Sequence, residues 1–128
     1  MEPADLRYHK EHEWIRVDGK QAMMGISDFA QDALGDIVFI DMPKVGSVIT
    51  AGQQIGEVES TKTTSSLYTP VSGKIVKVNT DLKDHPELVN TDPYGKGWIA
   101  VIDLSAPSEV DELMTAEQYR AFLASEKK

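Results

Sequence analysis

The chain has 128 residues, 41% of them apolar, with 21 acidic against 13 basic side chains and a net charge of −8. That length suits one domain able to bury about two-thirds of its unfolded surface, and the apolar share is too high for a chain disordered throughout. The acidic balance argues against a phosphate-neutralising nucleic-acid face and is compatible with partners that present positive patches, while the lack of cysteine excludes disulfides, thiolate zinc sites and thiol nucleophiles.

The start, Met1-Glu2-Pro3-Ala4-Asp5, has neither a signal-peptide apolar core nor an arginine-rich transit segment. The runs Ile37-Val38-Phe39-Ile40 and Trp98-Ile99-Ala100-Val101-Ile102 are strand-sized and far too short to span a bilayer. The expectation is a soluble protein with no membrane contact, in the bacterial cytoplasm; a mature mitochondrial matrix protein would look the same.

Trp14-Ile15-Arg16-Val17 alternates and runs into Asp18-Gly19, a strong hairpin signal, with residues 21–26 as the partner strand. Ser27 or Asp28 then opens a short helix: Asp28 with Gln31 fits a capping box, Phe29, Ala30, Ala33 and Leu34 form an apolar stripe, and Gly35 is a natural stop. Residues 37–42 read as a strand closed by Pro43, and short strands follow at 48–50, 54–59, 67–69 and 74–78, punctuated by Gly46, Gly52 and Gly73.

Between the third and fourth of these segments lies Ser60-Thr61-Lys62-Thr63-Thr64-Ser65-Ser66, a polar turn bounded by two strands. It reads as a hairpin with Lys62 near its tip. An ammonium on a rigid tip without bulky neighbours suits a covalent attachment point, and it equally suits a solvated loop lysine. Residues 81–93 are polar and hold Pro86 and Pro93, which predicts a loop with one helical turn around Glu87-Leu88-Val89. A strand at 98–104 follows. Ser108 with Asp111 and Thr115 with Gln118 both resemble capping boxes leading to helix-spaced apolar residues that end at Phe122-Leu123.

Many short strands, one early helix and a helical tail predict a mainly β fold, a flattened barrel or sandwich of short antiparallel strands. Catalytic signatures are missing. His9 and His12 lie near Glu11 and Glu13, but no further ligands join them and His85 is remote, so a metal site is not expected. There is no Gly-x-Ser-x-Gly elbow. Gly95-Lys96-Gly97 precedes a strand where a phosphate loop would precede a helix, and the polar turn around Lys62 is the opposite of a Schiff-base pocket. A non-catalytic protein is expected.

Several motifs in one order then carry a resemblance. They are His12-Glu13-Trp14, Gly25-Ile26-Ser27-Asp28, Leu34-Gly35-Asp36-Ile37-Val38-Phe39, Gly56-Glu57-Val58-Glu59-Ser60-Thr61-Lys62, Pro70-Val71-Ser72-Gly73, Pro86-Glu87-Leu88-Val89-Asn90 and Asp92-Pro93-Tyr94. From about Tyr8 to Leu123 the chain resembles the glycine cleavage H proteins, which are lipoyl carriers. Gly46 lies 62 − 46 = 16 residues before Lys62 and Gly73 lies 73 − 62 = 11 after it, as in lipoyl domains more widely.

The resemblance implies a lipoyl/biotinyl-type fold in one carrier domain over 1–128, with a lipoyl hairpin core at about 46–79 and a C-terminal helical extension at about 108–125. It implies lipoate on Lys62, with Glu59 and Gly73 recognised by a lipoate-attaching enzyme. The arm would visit a pyridoxal-phosphate glycine decarboxylase, a tetrahydrofolate-dependent aminomethyltransferase and a dihydrolipoyl dehydrogenase, the carrier itself being a monomer. Glu13 and His12 are the candidates for docking the loaded arm. Other readings are an H-like relay in lipoate transfer and an unmodified β-rich interaction module. Thr61 and Thr63 stand where valine and alanine are usual, and Ser66 replaces an acidic residue. Without cysteine, a dithiol on the arm has no thiol of its own body with which to form a mixed disulfide.

Overall fold

The computed structural model describes residues 3–126, so the first and last two residues of the expected 1–128 domain lie outside it. Among the described residues nine strands occur in chain order: β1 Arg7–Tyr8, β2 Glu13–Asp18, β3 Gln21–Ile26, β4 Ile37–Asp41, β5 Val48–Ile49, β6 Gln54–Ser60, β7 Thr64–Tyr68, β8 Gly73–Val78 and β9 Ala100–Leu104. Three α-helices accompany them: α1 Asp28–Leu34, α2 Leu88–Thr91 and α3 Ala116–Glu126. The strands form a six-stranded sheet in the order β1-β2-β3-β9-β8-β5 and a three-stranded sheet in the order β4-β6-β7. Every pairing is antiparallel. Of the two architectures expected, the sandwich is the one found: two open sheets with the main core between them.

In β8 and β9 that core follows from period-2 alternation, while in β4 a register shift between Ile37 and Phe39 brings Ile37 and Ile40, three apart, to the same side. Ile15, Met24, Ile75 and Ile102 of the larger sheet meet Ile37, Ile40, Val58 and Leu67 of the smaller one, all buried. A second apolar cluster of Tyr8, Trp14, Tyr119 and Leu123 lies between α3 and the β1–β2 end of the larger sheet. Trp14 therefore points one way and Ile15 the other, and β2 is buried on both faces at its start.

The hairpin joining β2 and β3 closes with two residues, since Asp18 pairs with Gln21. Gly19 at the first loop position has φ 62, the pattern of a II′ turn. Ser27, and not Asp28, caps α1: its side chain accepts from the Ala30 N–H. Gln31 donates to Asp28 at 2.8 Å, so that pair is a side-chain bridge within the helix and not a capping box. Thr115 and Gln118 do form the reciprocal box before α3, at 3.0 and 3.2 Å. Ser108 does not cap a helix; Pro107–Glu112 is 3-10 with no side-chain cap, and the chain extends again at Leu113. No sequence pattern predicts β1. Two residues suffice there because Tyr8 pairs with Trp14 and bridges to Met114. Among the described residues, no helix is long and apolar enough to cross a membrane.

Candidate functional site

The β6–β7 hairpin carries the site. Glu59 pairs with Thr64, and Ser60 closes the turn beyond them: its N–H donates to the Thr63 carbonyl at 2.8 Å. Ser60 Oγ donates to that same carbonyl and accepts from the Lys62 and Thr63 N–H groups at 3.3 and 3.1 Å. One hydroxyl thus satisfies the donors of a tight turn, which explains why a small hydroxyl residue stands two positions before the lysine. Thr61, Lys62 and Thr63 are all exposed.

The tip does not hang free. The Thr61 N–H donates to the Asp36 carbonyl at 3.0 Å, which fastens the turn to the short link between α1 and β4. Gly35 in that link has φ 83 and ψ −157, a region essentially reserved for glycine. A Cβ placed on it would lie 3.5 Å from Lys62 Cε and 3.9 Å from Cδ. The aliphatic stem of Lys62 therefore runs over a bare main chain while its ammonium stays in water.

Outward-facing side chains of the small sheet surround this tip. Phe39 pairs with Glu59 and Asp41 with Glu57, while Glu57 faces Ser66 across the β6–β7 ladder. Phe39 and its neighbour Val38 are about half exposed, at 51% and 53%. The face beside Lys62 is thus an apolar residue set among carboxylates, and Ser66 relieves a like-charge pair that an acidic residue would make with Glu57.

Of the other residues singled out by sequence, Glu59 shares the hairpin with Lys62, whereas Gly73 and Gly46 lie together elsewhere. Gly73 pairs with Ile49 and Leu104, and the Gly46 N–H donates to the Ile75 carbonyl at 2.7 Å. Both sit on the β5–β8 edge, past the end of β7 opposite the tip. A Cβ on Gly73 would collide with the Asp103 carbonyl and lie 2.8 Å from Ile102 Cγ2, so close packing of β8 on β9 demands glycine there.

Glu13 is interior, only 1% exposed. One carboxylate oxygen meets His9 Nδ1 at 2.9 Å and the other accepts from the Tyr68 N–H at 3.0 Å. Burial pushes its pKa up, and the bonds to His9 and Tyr68 oppose that rise. Glu13 thereby links β2 to the return strand of the lysine hairpin and satisfies an N–H at the free edge of β7. Its neighbour His12 turns the other way. With φ 78, the only positive value among described non-glycine residues, it sends its ring against Phe29 at 4.9 Å and binds the Tyr119 hydroxyl through Nδ1 at 2.8 Å. That hydroxyl is also 2.7 Å from Ser27 Oγ. Trp14, fully buried, donates from Nε1 to the Pro93 carbonyl at 3.0 Å, and the Tyr94 hydroxyl accepts from the Asp28 N–H at 2.9 Å. The segment Asp92-Pro93-Tyr94 is thus scaffold for β2 and α1.

Sequence reasoning missed the Gly35–Asp36 link and Asn90, which holds it by three hydrogen bonds. Both lie within motifs that carry the family resemblance, Leu34-Gly35-Asp36-Ile37 and Leu88-Val89-Asn90, but nothing local in either motif links it to the other or to Lys62.

Compared with known proteins, residues 6–126 match the family model described as glycine cleavage H-protein. A glycine cleavage system H protein of Symbiobacterium thermophilum is 57% identical over 120 residues, covering 94% of each chain. One from Geobacillus thermodenitrificans is 57% identical over 121 residues, covering 94% of this chain and 95% of the relative. Among solved structures, the crystal structure of a glycine cleavage system H protein from Mycobacterium marinum superposes with a TM-score of 0.86 at 44% identity, over 94% of this chain and 97% of that one.

Proposed function

The chain belongs to the glycine cleavage H-protein family, the lipoyl-carrying shuttle of the glycine cleavage system, and on that premise we propose that Lys62 is the residue that bears the lipoyl group. Members of this family are non-catalytic carrier subunits that work with other components of the system. The observation that supports Lys62 is its setting: an exposed lysine on a turn closed by Ser60, its stem backed by Gly35 with no side chain in the way. These surroundings fit a lipoyl amide, because the turn anchors the main chain and Gly35 backs the lysine stem while the amine itself lies exposed. When bound, the group supplies a disulfide that takes up an aminomethyl unit and electrons.

The protein's own part is position. Ser60 and the Asp36 carbonyl fix the root of the arm, so that tethering delivers it at high effective concentration to a docked partner. Asp41, Glu57 and Glu59 beside the exposed Phe39 support docking of partners with positive patches. These partners are a pyridoxal-phosphate glycine decarboxylase, a tetrahydrofolate-dependent aminomethyltransferase and a dihydrolipoyl dehydrogenase. We read the whole chain as a single carrier domain with its hairpin core at about 46–79 and its helical extension at about 108–125. It works as a monomer in the bacterial cytoplasm, the setting its bacterial relatives suggest.

For the lipoate-attaching enzyme, Glu59 is a direct recognition residue three positions before Lys62, and Gly73 acts through the shape of the scaffold. Glu13 and His12 remain the candidates for docking the loaded arm. Glu13, its carboxylate held by His9 and Tyr68, would hold the loaded arm by exchanging the His9 contact for the arm's amine.

Intact-mass measurement on the chain from its native cell, with peptide mapping, tests the attachment. One lipoyl amide on Lys62 is expected; an unmodified lysine sinks the reading and favours a plain interaction module. Glycine–bicarbonate exchange with the decarboxylase then separates the glycine carrier from a relay in lipoate transfer, which would support no exchange.

A further inference from the structure

Asn90 on α2 has an amide with all its partners dictated by chemistry. Its Oδ1 accepts from the Ile37 N–H at 2.9 Å, while Nδ2 donates to the Gly35 carbonyl and to Gln31 Oε1, both at 2.9 Å. A main-chain N–H can only donate and a carbonyl can only accept, so the amide has one orientation that satisfies all three. Ile37 opens β4, Gln31 lies in the last turn of α1 and Gly35 is its C-cap. The residues between them are Gly35 and Asp36, and these make the two contacts with the lysine turn: Asp36 through its carbonyl to the Thr61 N–H, Gly35 as the floor beneath the Lys62 stem. The adjacent Val89, fully buried, seats α2 in the core, so Asn90 is held from behind.

We propose that Asn90 is a positioning residue for the Lys62 turn: it locks the Gly35–Asp36 link into a shelf that sets the direction in which the lysine leaves the protein. The proposal rests on the reading of Lys62 as the lipoyl site. In attachment, Lys62 Nζ forms an amide with the carboxyl carbon of an activated lipoyl donor, the amine losing a proton and the donor its leaving group. The attaching enzyme must meet the lysine in one orientation. With the shelf intact that orientation is preset; with it loosened, only a fraction of molecules presents it. A smaller competent fraction raises the apparent dissociation constant in proportion and leaves the bound complex unchanged.

Asn90→Asp keeps an acceptor for Ile37 but sets an oxygen against the Gly35 carbonyl and Gln31 Oε1. Lipoyl transfer to the folded full-length protein, followed by mass spectrometry, is expected to show KM raised about tenfold with kcat little changed. Amide hydrogen exchange at Thr61 speeds up by a similar factor, and exchange at Tyr68, which Glu13 holds, stays as in the wild type. If Asn90→Asp does not fold, Gly35→Ala serves instead; it retains Asn90 and places a methyl group in a backbone region meant for glycine, under the Lys62 stem, with the same rise in KM expected. Should the wild type itself accept no lipoyl group at Lys62, the attachment reading fails and the shelf with it. If the wild type is modified and the variant matches it in KM, or differs in KM with Thr61 exchange unchanged, the shelf is overturned and the attachment stands.

Discussion

The turn at residues 60–63 and the largely buried run His12-Glu13-Trp14, in which His12 is half-buried, answer to opposite demands. At the turn, every polar contact is to main chain or to one serine hydroxyl, all at the surface, and the chemistry lies in an atom that touches little. In the second run, one residue is an interior carboxylate, one is a histidine of positive φ whose ring sits in an aromatic cluster, and one is a fully buried indole. Lipoyl attachment and stability are therefore carried by different residues. Changes at the tip should abolish attachment without disturbing the fold, and changes in the run His12-Glu13-Trp14 should weaken the fold and leave attachment at Lys62 intact.

The largest effect expected is Lys62→Arg. A guanidinium cannot take the acyl group under these conditions, so lipoylation and carrier activity should vanish in mass and exchange measurements. Urea denaturation should change by no more than about 0.5 kcal/mol, as for other surface substitutions. Any appreciable loss of stability would blur the division between the two regions.

Trp14→Ala should give the mirror image. Removing a fully buried indole costs about 3–5 kcal/mol, read as a lower urea midpoint. The fraction still folded at low temperature should accept a lipoyl group at Lys62 at the wild-type rate.

Tyr119→Phe sharpens the comparison inside the buried region. It leaves the ring stacked on Tyr8, with centroids 4.5 Å apart, and removes only the hydroxyl shared by His12 and Ser27. Losing those two contacts should cost about 1–2 kcal/mol in denaturant unfolding. A null result would mean that the hydroxyl network is not what holds the His12 turn against α1.

The subtlest signal is the pH dependence of Glu13. Its pKa is raised in the folded state by burial, so the folded protein binds this proton more tightly than the unfolded chain. The stability from that difference is fully present below the unfolded carboxylate value, about 4.3, and is lost as pH rises through the raised folded value. Thermal melts of Glu13→Gln and wild type should therefore diverge with rising pH in favour of the variant; parallel curves would show that His9 and Tyr68 fully offset the burial.

Legibility in the sequence followed the same division. The strand at 21–26, the Thr115–Gln118 cap and the Lys62 hairpin are local patterns, and local alternation and turn chemistry suffice to write them. Ser27 was one of two caps the sequence allowed; the structure chose it because its hydroxyl also meets Tyr119, 92 positions away. Ser108 with Asp111 had the letters of a cap and forms none, since Pro107 starts a 3-10 turn there. Glu13 reads as surface from its charge alone, and only two partners brought from β7 and the preceding turn make its burial tolerable. Gly46 and Gly73, found by their spacing to Lys62, turn out to pack the far edge of the sandwich.

By itself the sequence determined the β-rich class, the order of the short strands and the lysine displayed between two of them, because these depend on neighbours a few residues apart. Tertiary structure alone decided that β9 enters between β3 and β8, that Glu13 is buried, and that Asp36 and Gly35 back the Lys62 turn under the hold of Asn90, 55 positions from Gly35. Such contacts join residues whose identities carry no mark of each other. They exist only once the two sheets have closed on their common core.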